Sequence, residues 1–166
     1  MNLENKDEKI RQLAEVFKQA GADDPEGWAS SEVNEGINQL ARFSFLKAIT
    51  SQLLKEDDLD WIDNRIKFNY SQPTESCSQI VPAMEEMIGK GVSRESIVDL
   101  IRVTQYETLW HACCIIDKVY ETGTPIESWG LFELDDDYNP TMSIGCLHES
   151  LDEFDPSKKG LRPRAK

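Results

Sequence analysis

The side chains whose type and spacing suggest chemistry are first of all carboxylates. Glu32 and Glu35 stand three apart in a stretch of helical apolar spacing, and Asp60 and Asp63 stand three apart in the next one. Residues three apart on a helix project to one side. Two such helices facing each other would hold Mg²⁺ against a triphosphate, with the metal polarising the phosphoryl oxygens.

This quartet resembles the Glu-x-x-Glu and Glu-x-x-Asp pairs of all-α nucleotide pyrophosphohydrolases. The resemblance covers those four positions, with Asp60 standing where the family usually has Glu. It implies a magnesium-dependent nucleotide pyrophosphohydrolase in which Glu32, Glu35, Asp60 and Asp63 hold the metal. In a chain with 31 acidic residues, such pairs also arise as ordinary solvated helix faces. The enzyme reading therefore ranks second.

Thiols and imidazoles come next. His111 and Cys113 are two apart, as are Cys146 and His148. On a helix such neighbours point to nearly opposite sides, so neither pair can grip one ion. There is no CxxC and no HxxxH. Cys113 or Cys114 with His148 would make a nucleophile–base pair. Both cysteines, however, lie in the most apolar stretch of the chain, where burial raises a thiol pKa and lowers reactivity. No Gly-x-Ser-x-Gly elbow and no Gly-rich phosphate loop occurs. Glu107 and His111, four apart, suit a structural hydrogen bond. All four cysteines, Cys77 included, read as reduced thiols. The expectation is a chain with no catalytic residues, no bound metal and no cofactor, Mg²⁺ entering only under the second reading.

The charge balance is more informative. The net charge is −13, yet the last nine residues hold five basic residues and no acid. The body before them carries 13 basic against 31 acidic residues, a balance of −18. Such a body repels phosphate backbones and anionic membranes, because affinity for both depends on Lys and Arg. It attracts basic proteins and speeds their encounter. The acids gather in groups: Glu56, Asp57, Asp58, Asp60 and Asp63; Asp135, Asp136 and Asp137; Glu149, Asp152, Glu153 and Asp155. Aromatic residues lie beside them, namely Trp61, Trp129, Phe132 and Tyr138. An aromatic anchor within a charged rim is a common design of specific interfaces. These residues, Asp155 excepted, form the expected partner-binding set.

The elements that must position them are helices. Ile10, Leu13, Ala14, Phe17 and Ala20 make one stripe over about 6–20, and Gly21 stops it. Asp24-Pro25 starts a helical stretch to Leu53, which Gly27 and Gly36 weaken enough to split in two. A short helix over 59–68, a loop over 69–73 and a helix over 76–89 follow, with Pro82 required in the first turn of the last or at a kink. Ser93 caps a helix over about 94–121, apolar nearly all round from Leu109 to Ile116, which predicts a central buried helix. The segment 124–141 has no regular period and reads as an irregular loop or a short strand. A last helix is expected over 143–153.

The sequence thus predicts an all-α, single-domain bundle of six or seven helices over 1–157 and a flexible basic tail over 158–166. No apolar run approaches the roughly 18 residues of a membrane span, and no apolar leader is evident, so the expected location is the cytoplasm. The expected function is binding and inhibition of a basic protein, as an immunity protein or antitoxin does for a bacterial toxin or effector domain. Nucleic acid and membrane are not expected partners. A helical scaffold or homodimer is the third possibility, and monomer against homodimer stays open.

Overall fold

The computed structural model describes residues 3–71, 80–119 and 129–158. Among these the fold is mostly helical: α1 (Leu3–Gln19), α2 (Pro25–Glu35), α3 (Gln39–Thr50), α4 (Asp60–Ser71), α5 (Ile80–Gly89), α6 (Arg94–Ile116), β1 (Leu131–Leu134), β2 (Pro140–Ile144) and α7 (Leu147–Ser150), with a 3₁₀ turn over Leu151–Phe154. No helix among the described residues is long and apolar enough to cross a membrane. The expected helix over 76–89 is described from Ile80 on, with Pro82 as its third described residue. Cys77 and the tail beyond Lys158 lie outside the described residues.

Two compact units are present. One holds the described residues up to Thr50 and those of His111–Leu151, and the other holds those of Ser51–Trp110 and from Asp152 on.

In the first unit, α1 buries Ala14 and Phe17 and ends before Gly21, which takes φ +86°. The Asp24 carboxylate accepts from Gly27 N at 3.0 Å and caps α2, with Pro25 in the first turn. A Cβ at residue 27 would come within 2.2 Å of that carboxylate, so only glycine leaves room for the cap. The long stretch to Leu53 is indeed two helices. Gly36, at φ +70°, closes α2 in the left-handed conformation that other residues resist. Phe17, Trp28 and Phe43 then meet: Phe17 stacks on Trp28 at 5.9 Å, and Phe43 meets both edge-on at 5.6 and 5.4 Å. Arg42 lies over Trp28 at 5.8 Å and donates to the Cys146 carbonyl and, at 2.7 Å, to Ser150 Oγ. It thereby ties α3 to the segment around α7.

In the second unit, Ile62, Met84, Ile97 and Val98 form the core, with Leu59, Ile66, Met87 and Ile101 against it. Gly91, at φ +82°, turns the chain after α5, and Val92 N closes the turn on the Met87 carbonyl. Ser93 Oγ accepts from Ser96 N at 3.2 Å and caps α6.

Two expectations need correction, and a third resolves to one of its two forms. α6 is present but buried along a stripe (Ile97, Val98, Arg102, Cys113, Cys114), while Leu100, His111, Ala112 and Ile115 face solvent. Polar residues at 104, 107, 108 and 111 make it amphipathic, which the apolar run from Leu109 concealed. Of the two forms expected for the segment without regular period, the short strand is present, as β1, and it pairs antiparallel with β2. The last helix does not start at Ser143, because Ser143 and Ile144 pair with Phe132 and Leu131. Cys146, at φ +55°, then turns the chain into the single turn of α7.

Candidate functional site

The hairpin carries the densest group of expected binding residues. Leu131 faces Ile144, Phe132 faces Ser143, and Leu134 faces Pro140. Two steps on β1 thus match three on β2, so β2 carries the extra residue of a bulge and β1 stays regular. Side chains alternate along β1. Leu131 is half-buried and the Glu133 carboxylate accepts from Asn38 Nδ2 at 2.9 Å, so this face lies toward its own unit. Phe132 and Leu134 point the other way and are 45% and 52% exposed. The Phe132 ring lies over Gly130, where a Cβ would meet it at 2.8 Å.

The tip is built by Asp135. Its carboxylate accepts from Asp137 N at 3.0 Å and from Asn139 N at 2.9 Å. The Asn139 backbone bond, more than any other interaction, holds the Asp135 carboxyl below the ordinary carboxylate value. Tyr138 takes φ +63° and is 82% exposed, and Asp136 and Asp137 are exposed beside it. Three acids and an outward tyrosine therefore cap a two-stranded ribbon with an apolar outer face. Trp129 is different from the expectation: it is half-buried, and its indole N–H donates to the Ile115 carbonyl at 3.0 Å, so it anchors the start of the hairpin.

The other acidic groups divide. Glu149, Asp152 and Glu153 are exposed, and Glu149 lies 4.0 Å from Arg42. In the second unit Asp57, Asp58 and Asp60 are exposed, and Asp57 and Asp58 line an open cleft with Trp61, Lys55 and Gln52. Trp61 is half-buried against the core. Glu56, expected at a surface, is only 8% exposed, and its backbone N–H donates to Ser157 Oγ at 2.8 Å. Asp155 is buried too, paired with Arg102. Neither carboxylate faces solvent as a partner contact would require.

The carboxylate quartet is split between the units, with Glu32 and Glu35 in one and Asp60 and Asp63 in the other. Two of the four have local tasks. Glu32 accepts from Leu40 N at 2.8 Å and so caps α3, and Asp63 pairs with Arg94 at 2.8 Å. Among the described residues no group of three His, Cys, Asp or Glu comes together to hold a metal ion.

His148 has a partner that the spacing of cysteines concealed. Asp117 Oδ2 lies 2.7 Å from His148 Nδ1 and accepts from His148 N at 3.0 Å. Asp117 follows α6 directly, and nothing in its local sequence points 31 residues ahead to His148. An Asp–His pair orients an imidazole as a base needs, but the thiols near it are poor nucleophiles. Burial, then Asp117 and Cys114, push the Cys113 thiol up to about 11. Burial and Glu149 push Cys146 up, against a smaller opposing effect of Arg42. Protonated thiols do not attack.

No protein-family model matches the chain, and neither a curated protein nor a solved structure matches it.

Proposed function

We propose that this protein binds and neutralises a basic partner protein, with the Asp135–Tyr138 hairpin as its recognition element. The observation that carries the reading is the conjunction at one ribbon: exposed Phe132, Leu134 and Tyr138 next to Asp135, Asp136 and Asp137. Exposed aromatic and aliphatic side chains supply contact area when water is excluded, and the acids around them select a partner of opposite charge. The body charge of −18 supports the same choice, since it accelerates encounter with a cationic surface.

The most fitting role is that of an immunity protein or antitoxin in a bacterial cytoplasm. Its partner would be a toxin domain acting on nucleic acid, whose active-site cleft must be basic to hold phosphates. The acids of the hairpin would occupy that cleft in place of phosphates, or cover its mouth. The inhibitor then needs no catalytic group, and no metal or cofactor.

The test is association and inhibition with a panel of purified cationic nucleases at low and high salt. The expected result is salt-sensitive inhibition of at least one enzyme, with an association rate that falls about tenfold or more in the triple variant Asp135→Lys, Asp136→Lys, Asp137→Lys. Unchanged rates in that variant, or inhibition of none of the panel, would overturn the reading.

A further inference from the structure

We propose that β1 is a docking edge, at which an extended basic segment of the partner adds to the hairpin as a third strand. The inference rests on the binding role proposed above and specifies its mode. The sheet has two strands, so among the described strands each has one neighbour. The two outer edges are not equivalent. β2 opens with Pro140, which has no N–H to donate, carries the bulge, and packs against α3. Proline, bulges and covering elements are the devices that block strand pairing. β1, Leu131-Phe132-Glu133-Leu134, contains no proline and is the regular strand opposite the bulge.

The side chains suit the same mode. An incoming strand would lay alternate residues beside Phe132 and Leu134, whose apolar surface is half exposed. Beyond Leu134 the segment would run alongside Asp135, Asp136 and Asp137, where Lys or Arg is favoured. Main-chain bonds would give affinity, and the apolar positions and the charged end would give selectivity. Charge complementarity decides between occupants. A second copy of this chain would bring another net charge of −13, whereas a basic segment neutralises the tip.

The experiment uses the full chain and two synthetic eight-residue peptides of alternating valine and lysine, one of them N-methylated at every second backbone nitrogen. The two carry the same charge but differ in their ability to pair with a strand. Affinity is read by fluorescence anisotropy, and amide exchange is read residue by residue. The expected result is that the unmodified peptide binds and slows exchange within 131–134. The methylated peptide should bind about tenfold or more weakly, since a ladder of several hydrogen bonds is lost. Equal affinity of the two peptides, or no added protection in β1, overturns strand addition. So does self-association of the chain through the same amides. If neither peptide binds while a cationic nuclease is still inhibited, strand addition fails and the binding role stands. If the Asp135→Lys, Asp136→Lys, Asp137→Lys variant also leaves nuclease inhibition unchanged, the binding role itself fails.

Discussion

Arg102 and Asp155 form a buried ion pair, with side chains 2% and 1% exposed and Nη2 3.3 Å from Oδ1. Arg102 Nε also donates to the Leu54 carbonyl at 3.1 Å, and Asp155 Oδ1 accepts from Ser157 N at 2.9 Å. One pair thus joins α6, the segment before α4 and the residues after the 3₁₀ turn. A lone buried charge is costly, so Asp155→Ala should destabilise the fold by roughly 3–5 kcal/mol. Replacing both partners by apolar residues, Arg102→Met with Asp155→Leu, should recover much of that loss. Urea unfolding of the single and double variants checks this, and a single variant as stable as the parent would contradict it.

Asp155 also marks where sequence reasoning reaches its limit. It closes an acidic run, and runs of acids are ordinarily solvated. Only the fold shows that Arg102, 53 positions earlier, meets it in the interior. Glu56 is withdrawn from solvent too, at 8% exposure, and its backbone N–H is held by Ser157 Oγ, 101 positions later. What was legible was local: Asp24-Pro25 and Gly36 as the bounds of α2, Ser93 as the cap of α6, and the helical spacing of nearly every segment. Each depends on interactions within a few residues. The hairpin was half legible, because the segment 124–141 lacks a helical period and admits a short strand. The pairing of Ser143 with Phe132 is not local and overrode a helical pattern.

The Cys113 thiol predicts a pH dependence. Its folded value, about 11, exceeds its ordinary value of about 9. The folded state therefore keeps a proton that the unfolded chain gives up earlier. The contribution of this thiol is fully present below about pH 9 and falls as pH rises toward about 11. Urea midpoints taken from pH 8 to pH 10.5 should decline, and Cys113→Ala should flatten that decline relative to its own value at pH 8. Identical slopes in the two proteins would exclude Cys113 as the cause. Alkylation at pH 8 should likewise label Cys113 far more slowly in the native chain than in urea.

Glu32 and Glu35 separate a structural carboxylate from a metal-binding one. Glu32 accepts the Leu40 N–H at the start of α3, whereas Glu35 is exposed at the end of α2. Loss of a helix cap costs about 1 kcal/mol, so Glu32→Ala should lower stability by that amount and Glu35→Ala should leave it unchanged. A magnesium site would behave otherwise: Mg²⁺ would raise the thermal midpoint of the parent, and both variants would abolish the rise. Calorimetry of the three proteins with and without Mg²⁺ distinguishes the two roles.

The three acids of the hairpin tip should not contribute alike. The Asp135 carboxylate is engaged by Asp137 N and Asn139 N, and those bonds hold its proton affinity down. Its contribution to the turn is present above the ordinary carboxylate value and is lost as pH falls through the lowered one. Asp135→Ala should therefore speed amide exchange at Asp137 and Asn139 and disorder the position of Tyr138. Asp136 and Asp137 present their side chains to solvent, and Asp136→Lys with Asp137→Lys should leave those exchange rates unchanged. If the tip recognises a cationic surface, the double variant slows association with an intact fold, because rim charges act chiefly on encounter. Asp135→Ala would instead hasten dissociation, because it loosens the platform on which Tyr138 stands. Association and dissociation rates measured separately for the two variants test that division. Equal effects on both rates would mean that the tip acts only as undifferentiated charge.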